Sequence, residues 1–267
     1  MGLPKPYYQD DWATIYHGDC RDILPLLDPV DLVLTSPPYD GLRDYGGYCF
    51  NFEDTAKKIK VVDGGIVVWV VGDQVIEGSE SGTSFKQALF FKEIGMKLHD
   101  TMIYAKSGFS FPSTDRYHQI FEYMFVFCNG NVKTFNPIHD RKNICEKRGG
   151  DCKRQKDGSM KKGDRGGGEL KEFGQRFNVW TYNVGGGVGN EDKIAYEHPA
   201  VFPDKLAKDH IISWSNPNDI VLDCFMGSGT TLVAAKQLNR KAIGIEIEEK
   251  YCAIAVKRLK QEVFNFS

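Results

Sequence analysis

The chain has 267 residues, a formal net charge of −2 and 41% hydrophobic residues, which suffices for one α/β domain with a sizeable core. No apolar run reaches membrane-spanning length, and residues 1–5 lack the basic and then apolar pattern of a secretory signal. The seven cysteines are scattered without a CxxC pair. We therefore expect a cytoplasmic protein without membrane contact, disulfide framework or bound metal, and we interpret His139, Cys145 and Cys152 as solvated loop residues.

Short apolar runs alternate with amphipathic segments along the chain. Strands are predicted at 13–17, 31–35, 65–71, 98–104, 121–128, 220–223 and 242–245. Helices are predicted at 20–27, 85–94, 203–213, 231–238 and 248–262. This alternation predicts a mostly parallel sheet covered by helices on both faces.

Two prolines follow the second predicted strand, in the segment Thr35-Ser36-Pro37-Pro38-Tyr39. Because proline fixes φ and cannot continue a strand ladder, the chain leaves the sheet here as a stiff loop. A planar base with an exocyclic amine would suit this loop, stacked on Tyr39 while its N–H groups donate to Ser36 Oγ and the Pro37 carbonyl. The alternative is an ordinary X-Pro-Pro turn with a packed tyrosine.

A glycine-rich turn joins the strand predicted at 220–223 to the helix predicted at 231–238. The turn reads Asp223-Cys224-Phe225-Met226-Gly227-Ser228-Gly229-Thr230. Glycine allows a ligand to approach the backbone, and Glu246, about 20 residues on, can accept both hydroxyls of a ribose. The absence of a following lysine excludes a GxxxxGK[ST] phosphate loop, and the missing third glycine disfavours a nicotinamide site.

These motifs resemble the S-adenosylmethionine-dependent amino-methyltransferases of DNA, specifically the beta group, in which the catalytic loop precedes the cofactor loop. The resemblance covers nearly the whole chain through residues 36–39, 198–203, 225–230 and 244–246. It implies a Rossmann-like seven-stranded methyltransferase sheet with circularly permuted motif order. The strands at 220–223 and 242–245 would take the first two positions of that fold, and the strand at 13–17 the third.

The resemblance also implies the roles of individual residues. The catalytic loop is Ser36, Pro37, Pro38 and Tyr39. Residues expected to surround S-adenosylmethionine are Asp19, Thr35, Phe202, Pro203, Asp223, Phe225, Gly227, Ser228, Gly229, Thr230 and Glu246. Asp19 would lie beside the adenine, and it is equally suited to be the N-cap of the helix that begins at Cys20.

Positive charge is concentrated between residues 141 and 176, with twelve Lys or Arg, six Asp or Glu and eight glycines. By composition alone this is a solvated loop. Its place in the motif order, however, is that of a target-recognition region, so we predict a catalytic domain at 1–128 and 196–267 with an inserted recognition region at 129–195. The expected phosphate contacts are Arg141, Lys142, Lys147, Arg148, Lys153 and Arg154.

The sequence therefore predicts a site-specific methyltransferase for the N4 amine of cytosine in DNA, because the SPPY form of the loop accompanies that reaction in this enzyme group. The alternative is adenine N6. RNA or protein-amide methylation and a catalytically silent DNA-binding protein are further alternatives. Methylation at ring carbon C5 would need a Pro-Cys nucleophile, which the chain lacks. The expected partners are double-stranded DNA at the nucleoid, a second copy of the chain and a cognate restriction endonuclease.

Overall fold

A computed structural model of the chain describes residues 2–38, 50–108, 114–144, 152–162, 170–184, 193–198 and 203–261. In chain order the strands are β1 (Tyr8–Gln9), β2 (Ala13–His17), β3 (Val30–Thr35), β4 (Val61–Val71), β5 (Val75–Ile76), β6 (Ser79–Glu80), β7 (Lys97–Lys106), β8 (Phe121–Cys128), β9 (Arg141–Lys142), β10 (Cys152–Arg154), β11 (Met160–Lys162), β12 (Phe173–Gly174), β13 (Val179–Tyr182), β14 (Ile220–Asp223) and β15 (Lys241–Glu246). The α-helices are α1 (Cys20–Ile23), α2 (Phe52–Lys58), α3 (Thr83–Glu93), α4 (Asp204–Trp214), α5 (Thr230–Gln237) and α6 (Glu249–Leu259), and short 3₁₀ turns occur at Leu24–Leu26 and Lys193–Glu197.

Among the described residues, nine strands form the main sheet in the order β1-β2-β15-β14-β3-β4-β8-β7-β13. All seven predicted strands are in it, and the short strands β1 and β13 extend its two edges. From β2 to β4 the neighbours are parallel, whereas β8 is antiparallel to both β4 and β7. Next to β2 lies β15, followed by β14, which confirms the predicted permuted order.

The sheet is covered on both faces, as the alternation of β4 shows. Ile66, Val68 and Val70 belong to the core cluster that includes residues of α4, α5 and α6. Val67, Trp69 and Val71 belong to the cluster that includes residues of α1, α2 and α3. Since successive strand residues point to opposite faces, a strand buried on both sides reads as a continuous apolar run.

Several boundaries differ from the predicted ones. The predicted helix 20–27 is a single α turn followed by a 3₁₀ turn that contains Pro25, because proline cannot donate the next helical hydrogen bond. The last helix ends at Leu259, before the predicted end at 262. Helix α2 is not among the predicted elements, and Asn51 caps it by accepting from the Asp54 N–H at 3.1 Å.

Two compact units are distinguished within the chain. One contains the described residues up to Asn136 and from Asn178 onward, and the other is Pro137–Phe177. The second unit is shorter than the predicted region 129–195, because β13 pairs in parallel with β7 and is part of the main sheet. No helix in the described ranges is long and apolar enough to cross a membrane. Within those ranges no group of three or more His, Cys, Asp or Glu could hold a metal ion; Cys145 lies outside them.

Candidate active site

The predicted catalytic loop, residues 36–39, and the glycine turn leave the sheet at the same end of its parallel strands. Strand β3 ends at Thr35 and its parallel neighbour β14 ends at Asp223, so both loops begin at the carboxyl ends of adjacent strands. In open α/β sheets, ligands bind in the crevice outside these ends. The fold therefore brings together two motifs that are separated by almost 190 residues in the sequence.

The buried carboxylate of Asp223 joins these two strand ends. Its Oδ1 accepts from Thr35 Oγ1 at 2.7 Å and from the Phe225 N–H at 3.1 Å, and its Oδ2 accepts from Thr231 Oγ1 at 2.7 Å. Complete burial raises the pKa of Asp223, and the three hydrogen bonds act in the opposite direction. Thr35 thus fixes the end of β3, directly before Ser36, to the start of the glycine turn.

The structure describes the predicted catalytic loop as far as Pro38. Ser36 is half-buried, Pro37 is buried and Pro38 is partly buried, so the loop begins against the core. Tyr39 lies outside the described residues. Ser36 follows the carboxyl end of β3, as predicted, and the neighbouring strand β14 leads into the glycine turn.

The glycine turn needs glycine at two positions. Gly227 has φ +50°, and an added Cβ would lie 3.0 Å from His198 Nε2. Gly229 has φ +78°, and a Cβ there would lie 2.7 Å from the Cβ of Ala255 in α6. Because L side chains rarely adopt these backbone angles and both spaces are filled, substitution at either glycine would distort the turn.

Glu246, the last residue of β15, faces the same turn. Its buried carboxylate accepts from the Gly227 N–H at 3.0 Å through Oε2 and from the Glu248 N–H at 2.9 Å through Oε1. Burial raises the pKa of Glu246 above its ordinary value, although backbone hydrogen bonds oppose the shift. Because a carboxylate has about four lone-pair sites, Glu246 can still accept from a further donor.

Asp19, Phe202 and Pro203 are the other residues expected to contact the cofactor. Asp19 caps α1 by accepting from the Arg21 N–H at 2.8 Å, so the N-cap prediction is confirmed. The Arg21 guanidinium also pairs with it at 2.5 Å and lowers the pKa of Asp19. Contact between Asp19 and an adenine stays a prediction. Pro203 is buried at the start of α4, and Phe202 lies outside the described residues.

Two further residues of this site, His198 and Arg258, have no role predicted from the sequence. His198 is buried against the glycine turn and packs edge-on against the Tyr251 ring, with centroids 4.2 Å apart. Arg258 in the last turn of α6 is buried and donates to Ser228 and Thr230. A signal for Arg258 existed, because it lies three residues after Ala255 and seven after Tyr251 on the buried face of a helix.

The described part of the basic segment contains two small antiparallel ribbons, β9 with β12 and β10 with β11. Arg141 is engaged within its own unit, because its Nε donates to the Gln175 carbonyl at 3.0 Å and its guanidinium lies over the Phe177 ring. Lys142, Lys153 and Arg154 are exposed, and Lys153 is opposite Lys161 across the second ribbon. Lys147 and Arg148 lie outside the described residues.

Comparison with known proteins identifies the family. The model of the DNA methylase family matches residues 30–257. The orphan methyltransferase M.BamHII of Bacillus amyloliquefaciens is 52% identical over 92% of this chain and 91% of its own length, and the type II methyltransferase M.Cfr9I of Citrobacter freundii is 27% identical over 95% and 89%. The cytosine-N4-specific PvuII DNA methyltransferase has a similar fold, with a TM-score of 0.68, 20% identity and coverage of 98% and 91%. This chain belongs to the DNA methylase family, as an amino-methyltransferase of the beta group.

Proposed function

We propose that this protein is a site-specific DNA methyltransferase that methylates the N4 amine of cytosine. The observation that carries the proposal is the attachment of the Ser36 loop to the glycine turn through the Thr35–Asp223 hydrogen bond of 2.7 Å. This bond would hold Ser36, the proposed hydrogen-bond acceptor for the target base, close to the glycine turn that would bind the cofactor. Positioning of this kind is the main contribution that a protein makes to a direct group transfer.

The residues present fit S-adenosylmethionine, the cofactor of this family. Gly227 and Gly229 leave the turn without side chains, and the buried carboxylate of Glu246 can accept the ribose hydroxyls. Buried hydroxyls of Ser228 and Thr230 supply further polar groups in the turn that leads into α5. When bound, the cofactor supplies an activated methyl group on a sulfonium.

The chain's own contribution to the chemistry is to hold the amine of the base. An exocyclic amine is a poor nucleophile because its lone pair is delocalised into the ring. Ser36 Oγ and the Pro37 carbonyl would accept hydrogen bonds from its two N–H groups, drawing the nitrogen toward tetrahedral geometry and orienting its lone pair. Such acceptors act most strongly in the transition state, where positive charge develops on the nitrogen.

The target base has to leave the duplex to reach Ser36. Extrusion costs a few kcal/mol of unstacking, and we propose that Tyr39 offers the replacement stacking surface. The choice of cytosine over adenine depends on the serine in the loop. A neutral hydroxyl and a charged carboxylate could each accept an N–H, so adenine N6 is the second candidate.

Product analysis tests the proposal. Duplex DNA methylated by the purified enzyme is digested to nucleosides and examined by mass spectrometry. The expected product is N4-methyl-2′-deoxycytidine. N6-methyladenine as the sole product would overturn the base assignment. Transfer of labelled methyl to RNA or protein but not to DNA would overturn the whole proposal.

The exposed ribbon of β10 and β11 supports phosphate contact. Lys153 and Arg154 are exposed, and the cross-strand neighbour of Lys153 is another lysine, Lys161. Like charges directly opposite each other on a ribbon are unfavourable, and a bound polyanion would relieve the repulsion. We propose this ribbon as a contact to the DNA backbone.

Neutralising the ribbon should change the salt dependence of DNA binding. We expect Lys153→Gln with Arg154→Gln to weaken binding and to flatten the log–log salt slope by about one unit per lost contact. Fluorescence anisotropy over a salt series measures this slope. Lys97→Gln with Lys133→Gln is the matched control, because Lys97 contacts Asn131 and Lys133 contacts Asp63, so neither lysine belongs to the ribbon. An unchanged slope in the ribbon variant would remove the ribbon from the interface.

Two expected partners stay predictions. A second copy of the chain is one, and a cognate restriction endonuclease is the other. The names of the two relatives differ: M.BamHII is named an orphan methyltransferase and M.Cfr9I a type II methyltransferase. Sedimentation of the purified protein with and without DNA would measure the first.

A further inference from the structure

Arg258 is a buried cation behind the glycine turn. Its side chain is 1% exposed, and its Nη1 donates to the Ser228 carbonyl at 2.8 Å and to Thr230 Oγ1 at 2.9 Å. The same nitrogen lies 3.3 Å from Ser228 Oγ. On its other branch, Nη2 pairs with Asp204 Oδ1 at 3.3 Å. One guanidinium therefore links the last turn of α6, the glycine turn and the first residue of α4.

The hydroxyls of Ser228 and Thr230 act as hydrogen-bond acceptors but not as donors in the described part of the chain. Both side chains are only 3% exposed, and both oxygens accept from Arg258. Among the described residues, neither hydroxyl donates its own hydrogen to a protein acceptor. A hydroxyl that accepts from a cation is polarised and becomes a better donor. Both hydroxyls contact the same guanidinium nitrogen, and each still has a hydrogen that it can donate to a bound ligand.

Charge identifies the kind of acceptor. Thr230 is the first residue of α5 and Ser228 precedes the N-cap Gly229, so both hydroxyls lie at the helix N-terminus, where the helix dipole and the N–H groups of the first turn favour a negative group. Arg258 adds a guanidinium directly behind them. S-Adenosylmethionine has one anionic group, the carboxylate of its amino-acid end.

We infer that Arg258 is a positioning residue for the cofactor's carboxylate, acting through the hydroxyls of Ser228 and Thr230; this rests on the proposed function. Arginine suits the position because its planar fork holds several acceptors in fixed directions at once. Lysine would keep the charge but, as a point donor, could not hold Ser228, Thr230 and Asp204 together. The ion pair with Asp204 offsets the cost of burying the cation.

The test compares two ligands that differ at this end. S-Adenosylhomocysteine carries the carboxylate, whereas 5′-methylthioadenosine has the same nucleoside without the amino-acid part. In calorimetric titrations we expect Arg258→Lys to bind S-adenosylhomocysteine about tenfold more weakly or worse, and methylthioadenosine less than about twofold more weakly. Ser228→Ala and Thr230→Val should show the same selectivity, which keeps the test valid if Arg258→Lys does not fold.

The control is a second buried arginine that has no contact with the turn. Arg240 donates to Ser215 Oγ at 3.1 Å, to the Ser215 carbonyl at 2.7 Å and to the Leu238 carbonyl at 2.6 Å. Arg240→Lys should lower the thermal midpoint without any selectivity between the two ligands. In addition, the effects of Arg258→Lys and Ser228→Ala on S-adenosylhomocysteine affinity should be less than additive, because both remove one pathway.

Two outcomes would overturn the inference. Equal weakening of both ligands would mean that Arg258 only supports the fold of the turn. Unchanged affinity for S-adenosylhomocysteine would mean that the hydroxyls do not depend on it. Wild-type protein that binds neither ligand would instead overturn the cofactor assignment, so the two failures can be told apart.

Discussion

Replacing Ser36 with alanine should lower the rate of methyl transfer by about 10²- to 10³-fold, comparable to the loss of one preorganised hydrogen-bonding group in other active sites. The proposed bond from the amine to Ser36 Oγ strengthens as the nitrogen gains positive charge, so its loss acts on the transition state. Cofactor affinity should change by less than about twofold, because a group that acts only in the transition state leaves ground-state binding intact.

Single-turnover kinetics are the appropriate measurement, since product release can limit steady-state turnover and hide a change in the chemical step. Ser79→Ala is the matched control, as this exposed serine donates to the adjacent Glu80 carbonyl and to no other group in the described part of the chain. If Ser36→Ala weakened cofactor binding as much as it slowed transfer, the change would have disturbed the Thr35–Asp223 contact instead. A rate loss below about threefold would remove Ser36 from the catalytic group.

Replacing Glu246 with alanine should weaken cofactor binding by roughly 1.5–3 kcal/mol, as expected for lost hydrogen bonds to a charged acceptor. The Gly227 N–H would lose its partner at the same time, so part of the effect comes from the turn. Calorimetry with S-adenosylhomocysteine measures the change. Glu249→Ala, at an exposed position three residues further on, is the control. Equal affinity in the wild type and Glu246→Ala would rule out the ribose assignment.

Acidity should affect binding and folding stability through Glu246 with opposite signs. Because burial raises the pKa of Glu246, its protonation begins above the ordinary pKa of 4.5, and cofactor affinity should fall as the pH is lowered through that raised value. For the ligand-free protein, the contribution of this carboxyl to stability is fully present below the ordinary pKa and is lost as the pH rises through the raised one. Glu246→Gln should remove this part of both dependences.

The sequence allowed the strands and the two motif loops to be predicted because each depends on local pattern. The apolar run before Ser36 and the run before Asp223 are strands with the predicted ends. What local pattern cannot reveal is pairing between distant segments. Strand β13 is only four residues long with alternating burial, and its ladder with β7 is what makes it part of the sheet.

Buried polar contacts are the other feature that the sequence pattern does not reveal. Arg258 is one of several basic residues in an amphipathic helix, and such residues are mostly exposed. Its role depends on the close approach of α6 to Gly229, which permits no side chain there. The Thr35–Asp223 bond could be anticipated only after the two strands were known to be neighbours.

The strand order has a consequence for biosynthesis. Strands β2 and β3 come from the first part of the chain, yet β15 and β14 lie between them in the sheet. While the ribosome is still making residues 36–219, Ile15 and Leu32 therefore have no strand partner on the sides that later meet β15 and β14. The core can close cooperatively only after β14 and β15 have been synthesised, shortly before the last helix, α6. A nascent chain halted before residue 220 should bind chaperones, and its β2 and β3 should be readily cleaved by protease, since uncovered apolar strand edges are exposed until closure.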